Sequence, residues 1–316
     1  MRALLVVNPT ATTTRSRTRD VLASALAGQL DLEIVETTHR GHAVELGARA
    51  AQEKLDAVVA FGGDGTVNEV VNGLLTDGPA PDLPALGVVP GGAANVFIRA
   101  LGGSRDPVEG TGLLLEALRG GRRRSIGIGR ANDRWFIFCA GYGLDAAVVS
   151  RVERARGRGR TATPALYLRS AVSQYLSGSD RRASTVELKV DASVGEAGSA
   201  EPESTSRFAA VIVQNCSPWT YLGPRPVNAC PGASFDSGLD LLALRALRLP
   251  STLRTVWQIL GQTPDPHGRQ VVSCHDLSGF TLRSDTPLAA QVDGDYLGEL
   301  TELRFAAVPD ALQVVI

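Results

Sequence analysis

The chain is poor in the features that would assign it to a special class. Its 316 residues include four cysteines, Cys139, Cys216, Cys230 and Cys274, scattered and without a CxxC pair. That excludes a disulfide scaffold and reads as reduced, mostly buried thiols in the cytosol. The four histidines, His39, His42, His267 and His275, form no metal-ligand spacing, and aromatic residues make up only 5% of the chain. A net charge near −1 excludes a global attraction to nucleic acid or anionic membrane, leaving that to local patches. No apolar run approaches the ~20 residues of a membrane span. The apolar start, Met1–Val7, is too short for a signal peptide. Neither a Gly-Lys-Ser/Thr P-loop nor a GxGxxG fingerprint occurs at the glycine-rich turns. A hydrophobic content of 44% and a charged content of 21% describe an ordinary globular protein with room for two domains.

What is present centres on Asp56–Leu75, DAVVAFGGDGTVNEVVNGLL. Ala57–Phe61 is a short apolar run suited to a buried strand, and Val67, Val70, Val71 and Leu74 fall at helical spacing. Between them, Gly62-Gly63-Asp64-Gly65-Thr66 supplies a turn that can reach positive φ and bring backbone close to a ligand. Thr66 is expected to cap the following helix, whose N-terminus suits a phosphate. Asp64 would repel a bare phosphate, so a divalent cation between the two is the natural resolution.

Strand and helix alternate before and after this stretch. Strands are expected at Ala3–Val7, Leu32–Val35, Ala57–Phe61 and Ala85–Val89, with helices around Val21–Leu26, Ala43–Lys54, Asn95–Leu101 and Leu114–Leu118. That rhythm predicts an α/β domain built on a Rossmann-like, doubly wound parallel sheet over residues 1–122. Asn8-Pro9-Thr10, Thr37-Thr38, Gly62–Thr66 and Pro90–Asn95 each follow a strand, so they should converge at the carboxyl edge of that sheet.

From residue 123 to 316 the pattern changes to short strands, predicting a mainly antiparallel β-sandwich domain with helical insertions. Candidates are Arg124–Gly129, Trp135–Cys139, Thr185–Val190, Phe208–Gln214, Leu239–Leu244, Gly279–Leu282, Ala289–Val292, Leu303–Phe305 and Leu312–Ile316, with a hairpin at Asn132-Asp133. Two apolar stripes, Leu168–Leu176 and Leu253–Leu260, mark helices. Arg151, Arg154, Arg156, Arg158 and Arg160 form a basic segment that reads either as a solvated loop or as a surface for anionic headgroups, and Gly195–Ser206 reads as a surface loop.

GGDGTVNEVVNGL resembles the nucleotide loop of the diacylglycerol kinase catalytic family, which includes bacterial lipid kinases and the sphingosine and ceramide kinases. Asn8-Pro9, LGVVPGGAANVFIRALG (Leu86–Gly102) and VDGD (Val292–Asp295) resemble further family motifs in the right order. The resemblance implies ATP and Mg²⁺ in a site between a Rossmann-like and a β-sandwich domain, and transfer of the γ-phosphate to a lipid hydroxyl, diacylglycerol first. By it, Gly62, Gly63, Asp64, Gly65, Thr66, Asn68 and Glu69 contact the nucleotide, together with Asn8, Thr37, Thr38, Gly91, Gly92 and Asn95. Asp295, standing where the family has the glutamate of DGE, becomes the general base, and Asp64 holds the cation. A structural metal loop maps onto Asp236, Ser237, Leu239 and Asp240.

The chain also departs from the family. Ala93 and Val96 replace a threonine and an aspartate, Gly127 stands where an acid is common, and Ser237 replaces a ligand aspartate. Two rival readings follow: a weak or inactive nucleotide- and lipid-binding homologue, and an enzyme like NAD kinase. The expected setting is cytoplasmic with peripheral contact to the inner face of the membrane. The implied partners are a lipid substrate at that surface and ATP, without nucleic acid; a homodimer is compatible with the sequence.

Overall fold

The computed structural model describes residues 1–10, 16–143, 146, 186–190 and 207–316. Arg151–Arg160, Leu168–Leu176 and Gly195–Ser206, singled out above, lie outside the described residues. The chain divides into two compact units, Met1–Ile128 with Pro309–Ile316, and Gly129–Val308. The architecture is mixed α/β, a parallel sheet in the first unit and antiparallel strands in the second.

In the first unit, β1 (Arg2–Val7), β2 (Asp31–Glu36), β3 (Ala57–Gly62) and β4 (Ala85–Pro90) pair in parallel in the order β4-β3-β1-β2. Every residue of β3 and β4 is buried, which is why these strands read as unbroken apolar runs rather than alternating ones. Leu5, Val7, Val59, Phe61 and Val89 face a core shared with Leu22, Ala23 and Leu26 of α1 (Ser16–Ala27) and Leu114 and Ala117 of α5 (Pro107–Arg119). The alternate residues Leu4, Val6, Val58 and Ala60 are buried as well. Val314 of the last strand pairs in parallel with Leu86, so Pro309–Ile316, expected with the second domain, returns to this unit.

Helices α2 (His42–Gln52) and α3 (Asp64–Leu74) cross at glycines. A Cβ on Gly47 would sit 2.5 Å from Val70 O, and one on Gly73 would run into Val44 O and lie 2.8 Å from Ala48 N. The two backbones meet with no side chain between them, so part of the Asn-Glu…Asn-Gly run after the glycine turn belongs to helix packing. Glu69 Oε1 accepts from Gly41 N–H, the N-cap of α2, at 3.1 Å, and Asn72 Nδ2 donates to Asn68 O at 2.9 Å.

The second unit contains β6 (Arg134–Phe136), β7 (Cys139–Gly143), β8 (Val186–Val190), β9 (Arg207–Phe208), β10 (Ala210–Gln214), the β11–β12 hairpin (Thr220–Leu222, Arg225–Val227), β13 (Leu239–Leu244), β14 (Val271–Leu277), β15 (Gly279–Val292) and most of β16 (Asp295–Val315). The strand β5 (Arg123–Ala131) leads into it through the expected Asn132-Asp133 hairpin, closed by the pair Ala131↔Arg134. Its core gathers Phe136, Tyr142, Phe208, Phe280, Leu303 and Phe305 from five strands. The short segments expected at Gly279–Leu282 and Ala289–Val292 are one strand of 14 residues, and those near the C-terminus belong to one of 21. A further helix, α4 (Val96–Ala100), follows β4, and α6 (Leu249–Ile259) follows β13.

Candidate functional site

The parallel strand order places β1 between β2 and β3, so the connections leaving β1 and β3 diverge at their carboxyl ends. That reversal opens a crevice in sheets of this type. Asn8 ends β1 and the glycine turn ends β3. They touch there, through Asn8 N–H donating to Phe61 O (2.9 Å) and Asn8 Nδ2 donating to Thr66 Oγ1 (3.0 Å). Asn8 Oδ1 in turn accepts from the Thr10 backbone and hydroxyl, at 2.9 and 2.8 Å.

The turn works differently from the expectation. None of Gly62, Gly63 and Gly65 is at positive φ, and Gly63, not Thr66, is the N-cap of α3. The glycines are needed for close approach. A Cβ on Gly92 would lie 2.6 Å from Gly63 Cα, so the two glycine loops lie backbone against backbone, and Gly91 N–H donates to Gly62 O at 2.8 Å. A Cβ on Gly62 would meet Thr66 Oγ1 at 2.5 Å, the hydroxyl that Asn8 holds. Asn95, itself left-handed at φ 49°, closes the second loop by accepting from Gly92 N–H and donating to Gly92 O, both at 2.9 Å. Backbone amides and the N-terminus of α3 therefore crowd one spot on the sheet edge, an arrangement that suits an anionic phosphate.

Asp64 does not stand free in this spot. Phe97 N–H donates to its Oδ1 at 3.1 Å, so it fastens one glycine loop to the helix that follows the other. Burial pushes its carboxyl above the ordinary range, against the opposing pull of backbone N–H groups at Val96, Phe97 and Asn95. The folded protein thus binds this proton more tightly than the unfolded chain, and the stabilisation it contributes fades as pH rises from the ordinary carboxylate value through the raised one. The urea midpoint of the wild type minus that of Asp64→Asn should therefore shrink with rising pH across that interval. A difference that grows with pH would overturn the assignment.

Thr37 and Thr38 end β2 at the same edge. Thr37 N–H is bonded to Val7 O at 2.8 Å, while Thr38 Oγ1 lies 3.0 Å from His39 Nδ1 and 3.3 Å from His42 Nδ1, whose rings stack at 5.0 Å. This His–Thr group carries no motif, because His39 and His42 match no ligand spacing. Of the residues expected at the nucleotide, Asn8, Gly62–Thr66, Gly91, Gly92 and Asn95 come together. Asn68 and Glu69 are turned to neighbouring helix groups.

In the second unit, the β15–β16 hairpin turns at Asp293-Gly294, with Val292 paired to Asp295. Asp293 is 8% exposed, and its carboxylate takes three backbone N–H groups in succession, from Ile137 (2.6 Å), Phe138 (3.0 Å) and Cys139 (3.0 Å). Its own N–H donates to Cys139 O at 2.8 Å, and Gly294 N–H donates to Gln291 Oε1 at 2.9 Å. The turn that carries Asp295 is thereby locked from three sides. Asp295 keeps a quarter of its side chain exposed, with Arg134 Nη2 3.8 Å from Oδ2. These partners lie more than 150 residues apart in sequence, which hides them from motif reading. Asp293→Ala leaves three buried donors without an acceptor at a left-handed position. It should cost about 3 kcal/mol in urea unfolding, against about 1–2 kcal/mol for Asp293→Asn, which keeps one acceptor oxygen and tolerates that φ.

The metal loop expected at Asp236–Asp240 does not fit a cation. His275 Nδ1 lies 2.6 Å from Asp240 Oδ1, and Asp276 N–H donates to the same oxygen at 3.1 Å. Asp276 Oδ1 accepts from Gly238 N–H at 2.6 Å, and Ser237 Oγ donates to Ser234 O at 3.1 Å. An imidazole sits on the oxygen that would ligate, and side chains tie the turn together where a metal would do so. Leu239 is buried at the start of β13, paired with Leu277. Among the described residues no group of three or more His, Cys, Asp or Glu side chains gathers to hold a metal, and no helix is long and apolar enough to cross a membrane.

Residues 2–131 match the family described as the diacylglycerol kinase catalytic domain, so the resemblance carried by the glycine turn is borne out over that stretch. A diacylglycerol kinase of Bacillus subtilis is 36% identical over 144 residues, covering 45% of this chain and 46% of the relative. One from Staphylococcus saprophyticus is 33% identical, covering 45% of each. The chain thus spans a little under half the length of the curated relatives it matches. Likeness in fold extends further. A crystal structure of a diacylglycerol kinase from Bacillus anthracis superposes with a TM-score of 0.71 at 20% identity, covering 99% of this chain and 96% of that one. A second solved structure from the same strain gives 0.75 at 21% identity.

Proposed function

We propose that this protein is a lipid kinase that moves the γ-phosphate of ATP to a lipid hydroxyl, with diacylglycerol as the first candidate. The observation that carries the reading is the paired glycine loops at the strand reversal, within the stretch that matches the catalytic family. In this reading Met1–Ile128 with Pro309–Ile316 forms the nucleotide domain and Gly129–Val308 the substrate domain. The triphosphate lies against the backbone amides of Gly62–Thr66 and Gly91–Gly92 at the N-terminus of α3, with Asn8 and the Thr37-Thr38 hydroxyls at its flank. Phosphoryl transfer asks mainly for positioning and charge stabilisation, which amides in fixed turns can supply.

Asp295 takes the proton of the lipid hydroxyl as its oxygen bonds to the γ-phosphorus and the bond to ADP breaks. A magnesium ion bound to the triphosphate would neutralise phosphate charge. Asp64, whose Oδ1 serves the backbone of Phe97, would meet that ion with its other oxygen. The protein works from the cytoplasmic side, touching the membrane surface to reach its lipid.

The test is transfer of labelled phosphate from ATP to a panel of diacylglycerol, ceramide, sphingosine and NAD. Label in a lipid supports the reading. Label in NAD alone, without dependence on lipid vesicles, would make the enzyme a NAD kinase. ATP binding without label in any acceptor would leave a sensor descended from kinases, as Ala93 and Val96 would allow.

A further inference from the structure

The helix α6 is folded inside out for a packed protein. Leu253, Val256, Trp257 and Leu260 recur at helical spacing, and Leu249, four residues before Leu253, extends the stripe. The structure turns the stripe outward except for Leu260, which is half-buried and packs against the core beneath the helix. Leu249 is 54% exposed, Leu253 58%, Val256 45% and Trp257 76%, while the inward residues are Thr255 and Ile259. Ile259 anchors the helix in a small core with Val227, Ala229, Cys230, Ala233 and Leu242, Leu260 packs against that core, and Thr255 Oγ1 donates to Ser251 O at 3.1 Å, so the inner face is satisfied without Leu249, Leu253, Val256 and Trp257. Nothing in the folding of this unit requires four large apolar side chains in water. Contiguous apolar exposure of this kind marks a contact surface.

Charge decides which contact. Between Asp240 and Asp265 the chain carries Arg245, Arg248 and Arg254 and no acid. Arg248 is the N-cap, Arg254 lies within the helix, and Arg225 of β12 donates to Leu260 O at the other end. A second copy on the same face would set these arginines against their like. A tryptophan and aliphatic side chains rimmed by arginines are the makings of an interfacial helix, with aliphatic groups at the acyl boundary, the indole among the headgroups and guanidinium groups on lipid phosphates.

We propose that the Leu249–Trp257 face of α6 seats this protein on a bilayer that contains anionic phospholipid. The inference does not rest on the kinase reading, because vesicle binding needs neither ATP nor turnover.

The full chain is sedimented with phosphatidylcholine vesicles, with and without phosphatidylglycerol, in the absence of nucleotide. Binding to the anionic vesicles is expected, weakened about tenfold or more by Leu253→Glu with Trp257→Glu. Unfolding midpoints should not change, since both side chains are exposed. Brominated lipid should quench tryptophan emission of the wild type and not of Trp257→Phe, in which the remaining Trp135 and Trp219 are buried or half-buried. Equal sedimentation of wild type and the double variant would overturn the proposal. So would a concentration-dependent dimer in ultracentrifugation that the same substitutions abolish without any vesicle binding, which would assign the face to a second copy.

Discussion

Gly73→Ala should destabilise the first unit by at least about 2 kcal/mol, although alanine is the better helix former by about 1 kcal/mol. The added methyl has nowhere to go. It points into Val44 O and stands 2.8 Å from Ala48 N and 2.9 Å from Gly47 Cα, all of them backbone atoms of α2 that no rotamer change can move. Overpacking typically costs 1–3 kcal/mol where side chains can yield, and more where they cannot, so the clash outweighs the propensity gain. Thermal unfolding should fall by roughly 5 °C. Gly112→Ala in α5, where an added Cβ meets nothing within 4 Å, is the control and should raise stability by up to about 1 kcal/mol. If Gly73→Ala unfolds at the wild-type midpoint, the helices do not cross as described.

That crossing shows what could be read in advance and what could not. The strands of the first unit were legible because a parallel sheet covered on both faces demands continuous apolar runs, and Ala57–Phe61 and Ala85–Val89 are such runs. The glycine turn was legible as a site, but for a partly wrong reason. Its glycines serve the contact between Gly63 and Gly92, a pairing that no local φ preference announces. Gly73 falls inside the family motif, and nothing local marks it as a packing device, since its partner Gly47 lies on another helix. In the second unit the long β15–β16 hairpin dissolved into fragments. Arg283 through Thr286 interrupt its apolar pattern, and the register shifts between Arg283 and Leu288. The strand β14 escaped because only Cys274 among its seven residues is buried, leaving no alternation to detect. The helix α6 was found and its face was not. Periodicity reports that apolar residues share a side, and only the packing of Thr255 and Ile259 says which side is inward.

Asp295→Asn should lower phosphate transfer to lipid by about 10²–10⁴-fold while leaving ATP binding and the unfolding midpoint near wild type. The side chain is partly exposed and loosely paired to Arg134, so the amide costs the fold little. What it removes is the capacity to accept the hydroxyl proton. The fall should therefore appear in kcat rather than in KM for ATP, whose phosphates lie on the amides of the first unit in the proposed reading. Asp295→Glu restores the residue of the family's DGE motif and lengthens the reach by one methylene, so it should keep or raise activity. Asp293, two residues earlier, separates a chemical role from a structural one. Its carboxylate is spent on Ile137, Phe138 and Cys139 and has no oxygen to spare for a substrate. Asp293→Asn should lower stability first, and lower transfer only as the turn that holds Asp295 loosens. Asp295→Asn turning over lipid at the wild-type rate would remove the base from the mechanism, whatever Asp293→Asn does.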